Sequence, residues 1–243
     1  MGLDIYAGPL CRYYARGWET SVQRWGRGQS VPVGVIRPQE SRSIWQRVVG
    51  SVQGRPKVDP VAAIQAWRDG LLAEGLFAGM ADCDWPEAMD LEYETDKPDF
   101  EGWGAVQVWA AYAERPGMNR PLALPDEWEN DAAVASVAAQ GAASAFGHIV
   151  GPELWLPMSF NEVVEANEPN GKPCKIGSVA TLWKQLQHLN ELTWKASDAT
   201  IREWRRDDFE EGELESVARW GFSIWFCLAE FAVSRRAPMR LDY

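Results

Sequence analysis

The feature that most constrains this sequence is a nearly unbroken apolar run near its C-terminal end, Trp220–Val233, in which Ser223 and Glu230 are the polar residues. At 14 residues it falls short of the roughly 18 that a membrane span needs. A helix that is apolar on every side has no solvent face, so it belongs in a core with other elements around it. The chain has 243 residues, enough for one large domain or two small ones.

The rest of the pattern supplies those elements. Leu3 to Ala7 alternates apolar Leu3 and Ile5 with Asp4 and Tyr6, and reads as a short strand ended by Gly8-Pro9. Trp18, Val22 and Trp25 then recur at helical spacing, and Val31 to Ile36 reads as a second strand, with a short helix near Ile44–Val49. Asp59 and Pro60 are a natural cap and first-turn residue for a helix through Ile64, Trp67, Arg68 and Leu71. A helix over Trp103–Glu114 follows, and Asp126 is placed to cap another that runs through an Ala-rich middle toward His148. Glu153 to Pro157 is a third strand, and residues 167–177 carry turn chemistry centred on Asn170-Gly171. Ser178 caps an amphipathic helix through Leu182, Leu186 and Leu189, and Asp198 a shorter one. The acidic turn Asp207–Glu213 leads into the longest helix, which begins near Leu214, and Met239–Tyr243 closes the chain as a strand. The expected fold is a mainly helical, single α+β domain over 1–243, with a small sheet that includes the N-terminal strand. A helical C-terminal subdomain over 178–243 is the alternative division.

Composition adds two departures from the ordinary. Fourteen tryptophans suit core filling first and binding surfaces second, because each buries a large area and carries one N–H that wants a partner. The formal charge is −11, which disfavours phosphate backbones and anionic membrane surfaces as partners. It is unevenly spread: residues 61–170 hold four basic and twenty acidic residues, whereas 1–60 hold nine basic and four acidic ones. Either the unlike segments neutralise each other, or an acidic face is kept for a basic partner.

The acid concentrates in Asp82, Asp84, Glu87, Asp90, Glu92, Glu94, Asp96, Asp99 and Glu101, with Lys97 the one base among them. The calcium-loop pattern is not matched, because Trp85-Pro86 follows Asp84. Alternation of Leu91, Tyr93 and Thr95 with Glu92, Glu94 and Asp96 also describes an edge strand whose charges block unwanted pairing. The stretch is therefore a solvated surface, or a docking surface formed by Asp82, Asp84, Glu87, Asp90, Glu92, Glu94, Asp96 and Asp99. A second candidate is a ligand pocket at the end of the first strand, where Asp4, Tyr6, Arg12, Tyr13 and Tyr14 gather around one turn. Its bland counterpart has the tyrosines packing and Arg12 paired with an acidic neighbour.

Linear catalytic motifs give no support to an enzyme: there is no phosphate loop, dinucleotide fingerprint, nucleophile elbow or HExxH. Two histidines, His148 and His188, exclude a three-histidine metal site, and Cys11, Cys83, Cys174 and Cys227 form no CxxC pair, so neither a metal nor a cofactor is expected. His148, read at a helix end, would gain from the helix dipole as a cation. The N-terminus MGLDIYAGPL lacks the layout of a signal peptide, and Tyr6 stands where a myristoylation site wants Ser or Thr, so a cytoplasmic chain with reduced thiols is expected.

The opening GLDIYAGPLCRYYARGWET resembles a group of uncharacterised bacterial proteins that begin with a GLDIY strand followed by RYY and a Trp. The similarity extends to GSVATLWKQLQHLNELTW and the closing PMRLDY. It implies a bacterial cytoplasmic origin and a full-length unit, and brings no activity and no functional residue. From the residues themselves the expected function is a non-enzymatic, acidic protein-binding module of the immunity or toxin-neutralising type, which sequesters a basic partner. The alternative is a carboxylate-dependent hydrolase or transferase built on Asp4, Tyr6 and Arg12 with an acid from 82–101, with or without a divalent cation.

Overall fold

The chain begins on an apolar–polar alternation, and in the computed structural model those residues form the edge of neither face but the heart of a sheet. The structure describes residues 2–25, 59–77, 80, 83–206 and 212–243. The expected strand at 31–36, the short helix at 44–49 and most of the turn at 207–213 lie outside them. Strand β1 (Asp4–Ala7) pairs antiparallel with β2 (Glu94–Asp96) on one side and with β6 (Met239–Asp242) on the other. Beyond β6 come β3 (Leu154–Leu156), then β5 (Pro173–Ser178), then β4 (Val164–Asn167), giving the order β2-β1-β6-β3-β5-β4. Among the described strands only β3 and β5 run parallel. The last strand of the chain thus lies between the first and third, and ties the C-terminal residues into the same sheet as the N-terminal ones.

Eight α-helices are found among the described residues: α1 (Leu10–Tyr14), α2 (Ser21–Trp25), α3 (Pro60–Ala73), α4 (Asp99–Ala113), α5 (Ala132–Gln140), α6 (Val179–Leu192), α7 (Asp198–Trp204) and α8 (Leu214–Arg235). They lie on both faces of the sheet. Because side chains alternate along a strand, Trp155 joins one core and its neighbours Leu154 and Leu156 the other. The larger core gathers Leu3, Ile5, Trp155, Met239 and Leu241 under α4, α5, α6 and α8. The smaller gathers Leu154, Leu156 and Ile176 with residues of α1 and α3. This is the mainly helical α+β domain the patterning implied.

Helix α8 is the buried apolar helix. Every residue from Gly221 to Ala229 is buried. It packs along α4 and also touches α6, α7, β1, β2 and β6. The α4–α8 crossing is close because Gly102 and Gly221 meet in it: a Cβ at Gly221 would collide with the Gly102 carbonyl. The tryptophans are mostly core, as in the stack of Trp109 on Trp194 at 5.3 Å and the edge-on pair Trp155–Trp225 at 5.0 Å.

Caps explain most boundaries and one correction. Asp59 accepts from Val61 N at 3.0 Å and Ser178 from Thr181 N at 3.0 Å, as their positions implied. Among the described residues Asp126 caps no helix. Asp131, five residues on, accepts from Ala133 N at 2.8 Å and starts α5, which ends at Gln140, well before His148. Ser197, one residue before Asp198, caps α7. Residues 167–177, read as turn chemistry, belong to a β4–β5 hairpin over 164–178 closed by Gly171 at φ +85°, a backbone conformation glycine adopts without strain.

Candidate functional site

The structure brings the N-terminal candidates together. Asp4 and Tyr6 lie on the same face of β1, opposite Asp242 and Arg240 of β6, and α1 folds over that face. Tyr6 is fully buried, donates its hydroxyl to Pro9 O at 3.0 Å, and packs against Tyr13, Trp18 and Tyr93 with ring centroids 5.0–5.5 Å apart. Arg12 lies over the Tyr93 ring at 4.3 Å and donates to the carbonyls of Gly17 at 2.7 Å and Leu91 at 3.1 Å, rather than to the carboxylate the sequence suggested. Tyr13 donates to Asp242 at 2.6 Å and Tyr14 to Glu168 at 2.9 Å. Burial and these carboxylate partners push both phenols above their ordinary range.

Beneath them lies a residue pair that sequence reading missed. Glu168 of the hairpin turn accepts from Arg240 of β6 at 2.6 Å, and their side chains are 2% and 9% exposed. Arg240 also donates to the carbonyls of Glu153 and Leu241. The two residues are 72 positions apart, and neither stands in a motif. The cluster's polar groups are therefore largely spent on one another, although Arg240 Nε and one Asp4 oxygen are buried without a partner. Asp4 has a buried, unpartnered Oδ1, and burial raises its pKa to about 6, Lys97 lowering it while Asp242, Asp99 and Asp96 add repulsion.

The acidic stretch is also largely engaged. Asp84 pairs with the buried Arg68 at 2.8 Å. Glu87 lies on the N-terminus of α1, where its carboxylate accepts from Leu10 N at 3.0 Å and Cys11 N at 2.9 Å and supplies the cap that Pro9 lacks. Glu92 pairs with Arg235 at 2.8 Å, and Asp99 with Lys97 at 3.0 Å. Glu94 and Asp96, on the edge strand, hold Arg205 at 3.2 and 2.5 Å, and the arginine side chain is 6% exposed. Burial alone would lower the Arg205 pKa, but Asp96 and Glu94 outweigh it and raise it. Asp90 is exposed and lines a cleft of about 300 Å³ with Glu92 and Arg235. Asp82 lies outside the described residues. The cations facing this stretch come from α3, α8 and the end of α7, and the most distant, Arg235, is 143 residues from its partner Glu92.

A larger cleft, of about 560 Å³, opens between the start of α4, the loop before α5 and the start of α8. Leu124, Trp128 and Val217 line it, with Phe100, Glu101 and Asp126. Trp128 is held firmly: Trp103 meets it edge-on at 5.1 Å, and a Cβ on Gly104 would come within 2.6 Å of its indole. Glu127 and Glu129 flank Trp128, and both are exposed. Among the described residues Glu101, Asp126, Glu127 and Glu129 form no ion pair, so the rim of this cleft is acidic and unneutralised there. The signal was present as EGW and PDEWE in the sequence, but nothing there distinguished these carboxylates from the paired ones.

His148 corrects the reading of a helix-end cation. It is buried, its Nδ1 accepts from Ser178 N at 2.8 Å, and its Nε2 lies 2.9 Å from Asn161 O. Burial lowers its pKa, with the Asn161 carbonyl and Glu162 opposing. Ser178 Oγ in turn donates to Met158 O, so the pair is a structural clasp between β5 and the loop after β3. Among the described residues no group of three His, Cys, Asp or Glu is arranged to hold a metal ion, and no helix is long and apolar enough to cross a membrane. No family model, curated protein or solved structure matches the chain.

Proposed function

We propose that this chain is a non-enzymatic, acidic protein-binding module that takes a basic partner, in the manner of an immunity or toxin-neutralising protein. One observation carries the reading. Arg68, Arg205 and Arg235 are committed to carboxylates of the 84–99 stretch, while Glu101 and Asp126 line one cleft, the exposed Glu127 and Glu129 adjoin its Trp128 in the chain, and none of the four forms an ion pair among the described residues. An uncompensated acidic surface speeds association with a basic protein and selects against acidic ones. The test is the affinity for the basic protein that co-purifies with the chain from its native host, measured across ionic strength. The affinity falls steeply with added salt if the reading is right; salt-independent binding, or a partner without basic excess, overturns it.

A second reading draws on Asp4. A carboxyl with a pKa of about 6, opposite Asp242 on the next strand, has the poise of a general acid, as a carboxylate-dependent hydrolase or transferase would need. A rise in melting temperature with a small ligand, lost in Asp4→Asn, supports it. A flat ligand screen removes it.

A further inference from the structure

Resting on the basic-partner reading, we infer that the cleft between α4 and α8 is the docking groove, and that its occupant is a basic segment of the partner protein which places an apolar side chain against Trp128 and Lys or Arg side chains over the rim.

Two features beyond acidity point there. The first is Leu122, which stands next to the lining residue Ala123 rather than in the lining itself and is 92% exposed although its backbone is fixed. Its carbonyl accepts from Leu214 N, the first residue of α8, at 2.8 Å. Two residues earlier Arg120 lies over the Trp109 ring at 3.4 Å. A pinned loop that nevertheless holds a leucine out in water presents an anchor, because fixing the backbone leaves the apolar area uncovered in every conformation. The second is Phe100, 41% exposed in the cleft's lining, whose ring centroid lies 6.3 Å from those of Trp103 and the exposed Tyr243. Apolar walls over a rigid tryptophan floor favour an inserted side chain, since little ordering is needed on this side of the interface.

Charge complementarity selects the occupant. Glu101 and Asp126 line the groove, Glu127 and Glu129 flank its floor, and the cation close by is Arg120, which is stacked on Trp109. A second copy of this chain, at −11, would be repelled from that rim, whereas a lysine- or arginine-bearing segment is attracted to it.

The experiment titrates the isotopically labelled full chain with a synthetic amphipathic lysine–leucine peptide, and with a counterpart carrying glutamate for lysine, at low salt. Backbone amide shifts at Phe100, Glu101, Leu122, Asp126 and Trp128 with the lysine peptide alone are the expected result. Glu101→Lys with Asp126→Lys is expected to weaken it at least about tenfold, and Leu122→Ser by several-fold; both sets change exposed side chains, so the fold survives them. Shifts confined to residues 84–99, with affinity unchanged in the Glu101/Asp126 variant, overturn the groove and leave the basic-partner reading standing. Equal binding of the glutamate peptide overturns the groove's charge logic. No binding of the lysine peptide at low salt overturns the groove together with the basic-partner reading.

Discussion

Replacing Glu168 by leucine asks whether the N-terminal cluster is a structural clasp or a ligand site. The Glu168 carboxylate receives Arg240 at 2.6 Å, the Tyr14 hydroxyl at 2.9 Å and Asn170 Nδ2 at 3.2 Å. Its removal leaves a guanidinium whose side chain is 9% exposed without a counter-ion. Breaking a buried ion pair from one side costs about 3–5 kcal/mol, and an unpaired Tyr14 hydroxyl adds on the order of 1 kcal/mol. Arg240 keeps two carbonyl acceptors, Glu153 and Leu241, so about 4 kcal/mol is the expected loss. For a domain of this size that lowers the melting temperature by roughly 8–16 °C. Glu168→Leu combined with Arg240→Met is expected to recover most of it, because replacing both charges removes the stranded cation. Urea unfolding of wild type, both single variants and the double variant gives the coupling energy directly. A Glu168→Leu loss below about 1 kcal/mol, or additive single effects, would refute the reasoning and make the cluster a better ligand site than clasp.

Gly221→Ala is expected to destabilise by about 2–3 kcal/mol, because the new methyl meets the Gly102 backbone rather than a movable side chain. Gly70→Ala, in α3 with nothing within 4 Å, should instead stabilise by roughly 0.5–1 kcal/mol; denaturant midpoints compare the two. Arg205→Met removes the cation that Glu94 and Asp96 share and should cost about 3 kcal/mol; a loss below about 1 kcal/mol in urea unfolding would contradict the pairing. Asp4 carries a penalty of the opposite sign to most acids. Its folded pKa of about 6 lies above its unfolded value, so ionisation costs stability as pH rises from about 4 through 6. Asp4→Asn should therefore gain on the order of 1 kcal/mol at pH 7.5, after allowance for solvent screening, and nothing below pH 4. For His148 the sign reverses. Its folded pKa is depressed, so the stability it contributes is full above its unfolded pKa of about 6.5 and lost as pH falls toward the folded value.

What the sequence made legible was whatever a local pattern encodes. The apolar run at 220–233 announced a buried helix, and it is buried without interruption from Gly221 to Ala229, while Val233 at its end is exposed. Asp59 and Ser178 announced caps, each needing only the amide two or three residues ahead. Alternation over Leu3–Ala7 and Leu91–Asp96 located two strands that pair with each other, although nothing local said so. Asp126 misled, since five residues later Asp131 offered the same chemistry with a better-placed apolar face behind it. Long-range neutralisation stayed hidden. Arg205 reaches Glu94 and Asp96 only once α7 and β2 are packed, and Arg240 reaches Glu168 only through the hairpin. Glu101 and Asp126 looked no different from Glu94 in the chain, and what sets them apart in the fold is that among the described residues no arginine forms an ion pair with them.

The measurement that bears most directly on the function is a paired isolation from the native host, in which tagged wild type and the Glu101→Lys, Asp126→Lys variant are purified in parallel and their bound proteins quantified by mass spectrometry. A stoichiometric basic protein that accompanies wild type and is lost from the variant, with both chains folded alike, is the result the account predicts. Wild type that emerges alone, or with the same partner held equally by the variant, contradicts it.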